Sequence, residues 1–314
     1  MAELRWGLTI PFGGVPLAAH EPLVRRVEAA GYDDLWSAET NGSDAFTPLV
    51  QAACWTDRVR LGTGVVNPFT RGPAVLAMHA AALADASRGR FVLGLGSSSD
   101  VIVERWNEAT FTKPLTRVKE TVPVLRSILE GGRGPGGFSL ERPPEHEVPI
   151  VIAALRDRML QLGGELGDGT FANFLPLSAV EHVVARVREG EARAGRPETE
   201  IVCRFFCLPG DDAIGIARFM FAAYGTVPVY EAFFRALGWG EAIDPMVRAW
   251  RDGDRKLALS LVPDELLREI FIFGDPPAMK ERLAEFAARG ITTLVLAPVA
   301  AAEALPELID ALAP

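Results

Sequence analysis

Short apolar runs alternate with longer amphipathic stretches from one end of the chain to the other, and this rhythm restricts the fold more than any single motif does. The runs read as strands at 5–12 (RWGLTIPF), 34–39 (DLWSAE), 59–67 (VRLGTGVVN), 91–97 (FVLGLGS), 148–154 (VPIVIAA), 169–176 (GTFANFLP), 201–209 (IVCRFFCLP) and 292–299 (TTLVLAPV). Between them lie helical patterns such as PLVRRVEAAGY (22–32), RGPAVLAMHAAALADAS (71–87) and AVEHVVARVREGEARAG (179–195). Eight strands, each followed by a helix, predict an α/β chain closed into a (β/α)8 TIM barrel, a single domain over 1–314. An open doubly wound sheet is the alternative, because periodicity alone does not say whether a sheet closes.

Two segments interrupt the rhythm. Residues 131–148 (GGRGPGGFSLERPPEHEV) are too rich in Gly and Pro for regular helix. Residues 211–272 carry several helical pieces and form an insertion after the seventh strand. In a barrel that places them over the C-terminal face, where substrates bind. Their aromatic residues Phe233, Phe234, Trp239 and Trp250 would either form an apolar lid or simply pack helices together.

The net charge of −9 argues against nucleic acid or an anionic membrane as partner, since both need a basic footprint. Three cysteines without C-x-x-C spacing suit a reducing cytoplasm and no disulfide framework. Four scattered histidines form no metal-binding pattern. The N-terminal residues lack a signal-peptide apolar core, and no window is apolar enough to span a bilayer. A soluble cytoplasmic protein acting on a small molecule is expected.

Several strand ends could carry chemistry. In RLGTGVVNPFTRGP (60–73), Gly62 and Gly64 interrupt a strand, which marks a bulge or a close approach by another group. Glu39 ends the second strand, with Thr40 and Asp44 behind it. Such an acid is either an active-site group or one half of an ion pair at the barrel rim. After the fourth strand, Gly96, Ser97 and Ser98 offer close approach and hydroxyl donors before a helix start; a capping serine on a tight turn is the plainer reading. After the fifth, Ala153, Ala154 and the helix start at Arg156 offer amides and a positive charge to an anion, or merely a tight turn. His79 sits mid-helix and reads as structural. With no G-x-S-x-G elbow and no paired carboxylates, the side chains supply few acids or bases, as expected where a cofactor does the chemistry.

Three phrases in order, GTGVVNPFTRGPAVLAMHAAALADASRGRFVLGLGSS, MLQLGGELGDGTFANFLP and FGDPPAMKERLAEFAARGITTLVLAPV, resemble the luciferase-like flavin and deazaflavin oxidoreductases, and most closely the branch using coenzyme F420. The resemblance covers nearly the whole chain and implies a (β/α)8 barrel, a homodimer, and hydride transfer between C5 of the deazaflavin and a small organic substrate. It also implies a bulge after the third strand with a non-prolyl cis peptide at Gly64–Val65, against which the tricyclic ring packs. Thr63, Gly64, Val65 and Asn67 would then contact the cofactor, together with Glu39, Gly96, Ser97 and Ser98. Ala153, Ala154 and Arg156 would meet its phosphate. Glu39, with Asp44 second, is the candidate catalytic group, and Arg71, Arg105 and Lys113 are candidates to meet the acidic glutamyl tail. The chain departs from the pattern at Thr40, where several relatives have histidine, and at SSSDVIVERW, where sugar-phosphate-dehydrogenating members carry a glutamate and the nearby acids here are Asp100 and Glu104. An FMN-dependent monooxygenase, a non-catalytic cofactor-binding paralogue and a phosphosugar enzyme without a redox cofactor are the rival readings.

Overall fold

The computed structural model describes residues 4–210 and 213–314. Asp211 and Asp212, the first two residues of the expected insertion, lie outside the described residues, as does the N-terminal tripeptide. The strands are β1 (Arg5–Ile10), β2 (Asp34–Ser37), β3 (Arg60–Thr63), β4 (Phe91–Leu95), β5 (Ile150–Ala153), β6 (Gly169–Asn173), β7 (Glu200–Pro209), β8 (Ile272–Gly274) and β9 (Thr293–Pro298). All neighbours pair in parallel, from β1 through β7 in chain order, with β9 joining β7 to β1. The sheet therefore closes as an eight-stranded barrel, and the open-sheet alternative falls.

The short β8 lies outside the expected set. β7 is longer than its neighbours, and its Val202–Cys207 stretch pairs β9 while Cys207–Pro209 pairs β8. The overhanging backbone recruits three residues of the chain returning from the insertion.

Crossover helices surround the barrel: α1 (Glu21–Ala29), α2 (Phe46–Trp55), α3 (Pro73–Ala86), α4 (Pro114–Leu129), α5 (Asp157–Leu166) and α6 (Val180–Ala194). The insertion folds as α7 (Ile214–Gly225), α8 (Pro228–Ala236), α9 (Gly240–Arg251), α10 (Arg255–Ser260) and α11 (Asp264–Ile270), and α12 (Pro276–Ala288) and α13 (Leu305–Ala311) complete the ring. The segment 131–148 holds no helix beyond a 3-10 turn at Pro135–Gly137.

Alternation along the strands divides the apolar residues into two cores. Outward residues pack under the helices in one large cluster. Inward residues Trp36, Val92, Val151, Phe171, Val202 and Val295 form a separate plug inside the barrel. Below the plug, at the N-terminal ends of the strands, fully buried Asp34 accepts from Arg5 (2.6 Å) and Arg60 (2.7 Å), and Arg60 also reaches Glu200 (2.6 Å). Above the plug the barrel opens.

Candidate active site

The glycines of β3 and β4 are explained by what approaches them. A Cβ on Gly62 would overlap the Trp36 indole that fills the barrel, and one on Gly94 would overlap the Thr63 carbonyl. At Gly96 it would sit 2.7 Å from Val65 and 2.9 Å from Ala153. The groups that come close at β3 are thus first the protein's own Trp36 and then, at Gly64, Phe171. β3 stops at Thr63, the Gly64–Val65 peptide is cis, and pairing to β4 resumes with a bridge from Val66 to Leu95. This is the bulge that the sequence leads one to expect.

Above the plug lies a cavity of ≈ 1110 Å³. One side of its floor is built of small residues at the C-terminal ends of the adjacent strands β2 to β5: Ala38, Gly64, Gly96 and Ala153. The loops after β4 and β5 add Ser97, Ser98, Ala154 and Arg156, and Val65 and Asn67 also line it. Its roof comes from the insertion, through Tyr224, Val229, Tyr230, Phe233 and Leu237. Of the four expected lid aromatics only Phe233 faces the cavity. Phe234 is fully buried against Phe221, and Trp250 lies under the Arg255 guanidinium, 3.8 Å away.

Glu39 lines the cavity and is also a rim ion pair, so the two readings of that acid coexist. Arg71 grips it bidentately at 2.5 and 2.6 Å, with the pair 17–18% exposed. Asn67 folds the loop behind the bulge, its Oδ1 accepting from the amides of Phe69 (3.0 Å) and Thr70 (2.9 Å). Ser98 takes a left-handed conformation (φ 64°) that turns the chain toward a π-helical segment at Val101–Trp106.

Several expected contacts are not among the lining residues. Thr63 is fully buried, and its hydroxyl donates to the Gly94 carbonyl (2.9 Å) and accepts from the Gly94 amide (2.8 Å), bridging β3 to β4 where the bulge interrupts their ladder. Asp44 instead accepts from the amides of Phe46 (2.8 Å) and Thr47 (2.9 Å) at the start of α2. Ala154 lines the cavity, but its amide is spent on the Phe171 carbonyl (3.0 Å) and is not offered to an anion. Among the candidate tail cations, Arg71 is neutralised by Glu39 and Arg105 is 72% exposed beside Asp100 (3.8 Å). Lys113 does line the cavity, joined by Arg156 and Arg158.

The structure adds polar residues that the sequence reading passed over. Arg204 on β7 donates through Nε to Asn173 Oδ1 on β6 (3.1 Å), and Asn173 Nδ2 donates to the Tyr230 hydroxyl (2.9 Å). All three line the cavity. A signal was present: in IVCRFFC, Val202 points inward, and period-2 alternation puts Arg204 on the same face. At the rim, His182 Nε2 lies 2.9 Å from Asp157 Oδ1. His79, by contrast, stacks on Phe46 (4.5 Å) away from the cavity, and burial, with Arg71 nearby, lowers its pKa.

Among the described residues no helix is long and apolar enough to cross a membrane. Residues 7–293 match the family model for luciferase-like monooxygenases. The chain is 30% identical to a candidate coenzyme F420-dependent oxidoreductase of Mycobacterium tuberculosis, over 94% of this chain and 95% of that one. It is 28% identical to the 5,10-methylenetetrahydromethanopterin reductase of Methanolobus tindarius, over 91% of each. Among solved structures, the coenzyme F420-dependent tetrahydromethanopterin reductase of Methanopyrus kandleri superposes with a TM-score of 0.80 at 21% identity, covering 99% of this chain and 98% of that chain.

Proposed function

The chain belongs to the luciferase-like monooxygenase family, and from that membership we propose an F420-dependent oxidoreductase that transfers a hydride between the deazaflavin and a small organic substrate. The observation that carries this reading is the division of the cavity. A floor of small residues from Ala38 to Ala153 suits a flat ring, and Lys113 after β4, with Arg156 and Arg158 at the start of α5, suits an acidic tail. A volume of ≈ 1110 Å³ exceeds the ~300–1,000 Å³ of ordinary small-ligand sites, leaving room for cofactor and substrate together.

Bound F420 supplies a two-electron hydride carrier that activates oxygen poorly. The protein supplies position. Gly64, Gly96 and Ala153 present backbone and methyl groups where larger side chains would obstruct a ring. Glu39, with both oxygens engaged by Arg71, is a fixed hydrogen-bond acceptor at the cavity edge. The aromatic and aliphatic roof excludes water from the face where the substrate lies, and holding two reactants in register is the main rate contribution such a site makes.

Parallel fluorescence titrations with F420 and FMN test the proposal. Tight binding of F420 and weak binding of FMN is the expected result. The paired variant Arg156→Ala/Arg158→Ala should weaken F420 by about tenfold, and less at high salt, as loss of exposed charge contacts requires. Preference for FMN would reassign the chain to flavin chemistry, and binding of neither would end the cofactor claim.

A further inference from the structure

Arg204 is a cation in search of an anion. It lies one inward position above the barrel plug, half-buried, with its guanidinium 5.1 Å from the Phe206 ring. Its hydrogen bond among the described residues goes to the neutral amide of Asn173, and none of the ion pairs found among them includes it. Taking a guanidinium out of water without a carboxylate or equivalent partner is costly, so such groups are ordinarily paired. The cations at the start of α5, Arg156 and Arg158, are exposed and carry no such cost.

The hydrogen-bond directions around it are determined. Arg204 Nε can only donate, so Asn173 must turn its oxygen toward Arg204 and its NH₂ toward Tyr230. The Tyr230 oxygen therefore accepts, and its own proton is left to point elsewhere. Burial pushes the Tyr230 phenol above its ordinary range, against the hydrogen bond from Asn173, so that proton stays on. The terminal nitrogens of Arg204 and the Tyr230 hydroxyl thus offer donors, with no acidic side chain paired to Arg204 among the described residues, on the side of the cavity opposite the small-residue floor.

We infer that Arg204 and Tyr230 form a carboxylate-binding subsite, and that the substrate is an organic acid with an otherwise apolar body. This rests on the oxidoreductase reading of the same cavity. A planar guanidinium fork matches a carboxylate in shape and in single charge. A phosphate dianion would call for a second cation, and the other cations lining the cavity, Lys113, Arg156 and Arg158, lie after β4 and at the start of α5. Tyr224, Val229 and Phe233 supply the apolar wall for the remainder of the substrate.

Calorimetric titration of the full chain, with and without F420, tests this using benzoate, cinnamate, cyclohexanecarboxylate and octanoate, each beside its primary amide. At least one acid should bind tenfold or more tightly than its amide, as a charge-assisted bidentate contact implies, a factor of about 10. Arg204→Gln should erase that preference. Tyr230→Phe, nearly isosteric, should reduce it about threefold to tenfold. Arg204→Lys, which keeps the charge without the fork, should retain part of it. Melting curves verify that each variant is folded, and F420 affinity should stay within about twofold of wild type. Equal binding of every acid and its amide would overturn the subsite. So would a loss of F420 affinity in Arg204→Gln, which would assign the guanidinium to the cofactor. If the wild type binds the acids but not F420, the subsite stands and the cofactor reading fails.

Discussion

Thr63 does with one hydroxyl what a strand normally does with its backbone. At the bulge β3 cannot continue its ladder, and the Thr63 side chain takes up both the amide and the carbonyl of Gly94. A residue whose position in GTGVV suggests cofactor contact is therefore a structural clamp beneath the site. Replacing it by valine keeps the shape and leaves the Gly94 amide unpaired in a buried setting, while the Gly94 carbonyl keeps the Val66 amide (3.0 Å). Thr63→Val should lower the free energy of unfolding by about 1–3 kcal/mol, read from urea denaturation, and Thr63→Ser should recover most of it. An unchanged urea midpoint in Thr63→Val would refute the clamp. Glu39 shows the converse. Its position at the end of β2 does mark the cavity, but its partner Arg71 stands 32 residues later, and the bidentate contact between them is visible only once β2 and β3 lie side by side.

At the scale of elements, carboxylates organise the chain before β3 and at the start of α2. Glu28 on α1 accepts from the amides of Asp57, Arg58 and Val59, seating the turn that leads into β3. Asp44 caps α2. Burial would raise the Asp44 pKa, but hydrogen bonds from Thr47 and Phe46 outweigh it and bring it below its ordinary 3.8. A carboxylate lowered on folding stabilises fully above its unfolded pKa, and that stabilisation is lost as pH falls through the folded value. Asp44→Ala should cost about 1 kcal/mol at neutral pH. Asp44→Asn, which keeps the capping oxygen without the titration, should be near wild type at pH 7 and lose less stability than wild type below about pH 4. Melting temperatures across the acid range decide this, and parallel curves for wild type and Asp44→Asn would exclude the cap as a titrating element. In the insertion, buried Glu231 on α8 ties to α9 through Arg251 (2.5 Å), and Arg235, held by Glu231 within α8 (2.9 Å), reaches Asp244 of α9, which holds Tyr230 and Phe233 over the cavity.

The whole molecule separates stability from chemistry along the barrel axis. At the N-terminal end, Arg5 of β1, Asp34 of β2, Arg60 of β3 and Glu200 of β7 join across the barrel, and Thr293 of β9 adds its hydroxyl to Glu200. At the C-terminal end, the small-residue floor and the Arg204 chain face a cavity closed by the insertion. Asp34 is 0% exposed between two guanidinium groups, so Asp34→Ala leaves both without their shared partner. It should cost about 3–5 kcal/mol in chemical denaturation. The folded fraction should bind F420 with wild-type affinity, because the network lies beyond the Trp36–Phe171 plug. A mutant as stable as wild type, or one folded but with weakened cofactor binding, would refute this division.

The sequence by itself determined the alternation of strands and helices, and the closure of the sheet was decided by β9 pairing with both β1 and β7. Its eight barrel strands and the helices between them follow from local pattern, and Gly62 and Gly64 mark the irregularity in β3, because the periods of 2 and 3.6 and the conformational demands of glycine act over a few residues. Glu39, Gly64, Gly96 and Ala153 were legible as cavity positions for the same reason. Which side chains are free to meet a ligand was decided only by the tertiary structure. Arg71 and Arg204 are both arginines at barrel strands or the loops that follow them. One is neutralised by Glu39, and the other, among the described residues, is in no ion pair and donates to the amide oxygen of Asn173 on β6. β8 likewise exists because β7 overhangs β9, and Ala154 gives up its amide because Phe171 lies across from it. Pairing depends on what the fold brings alongside, so the availability of a charge or an amide is a property of the closed barrel and not of the local sequence.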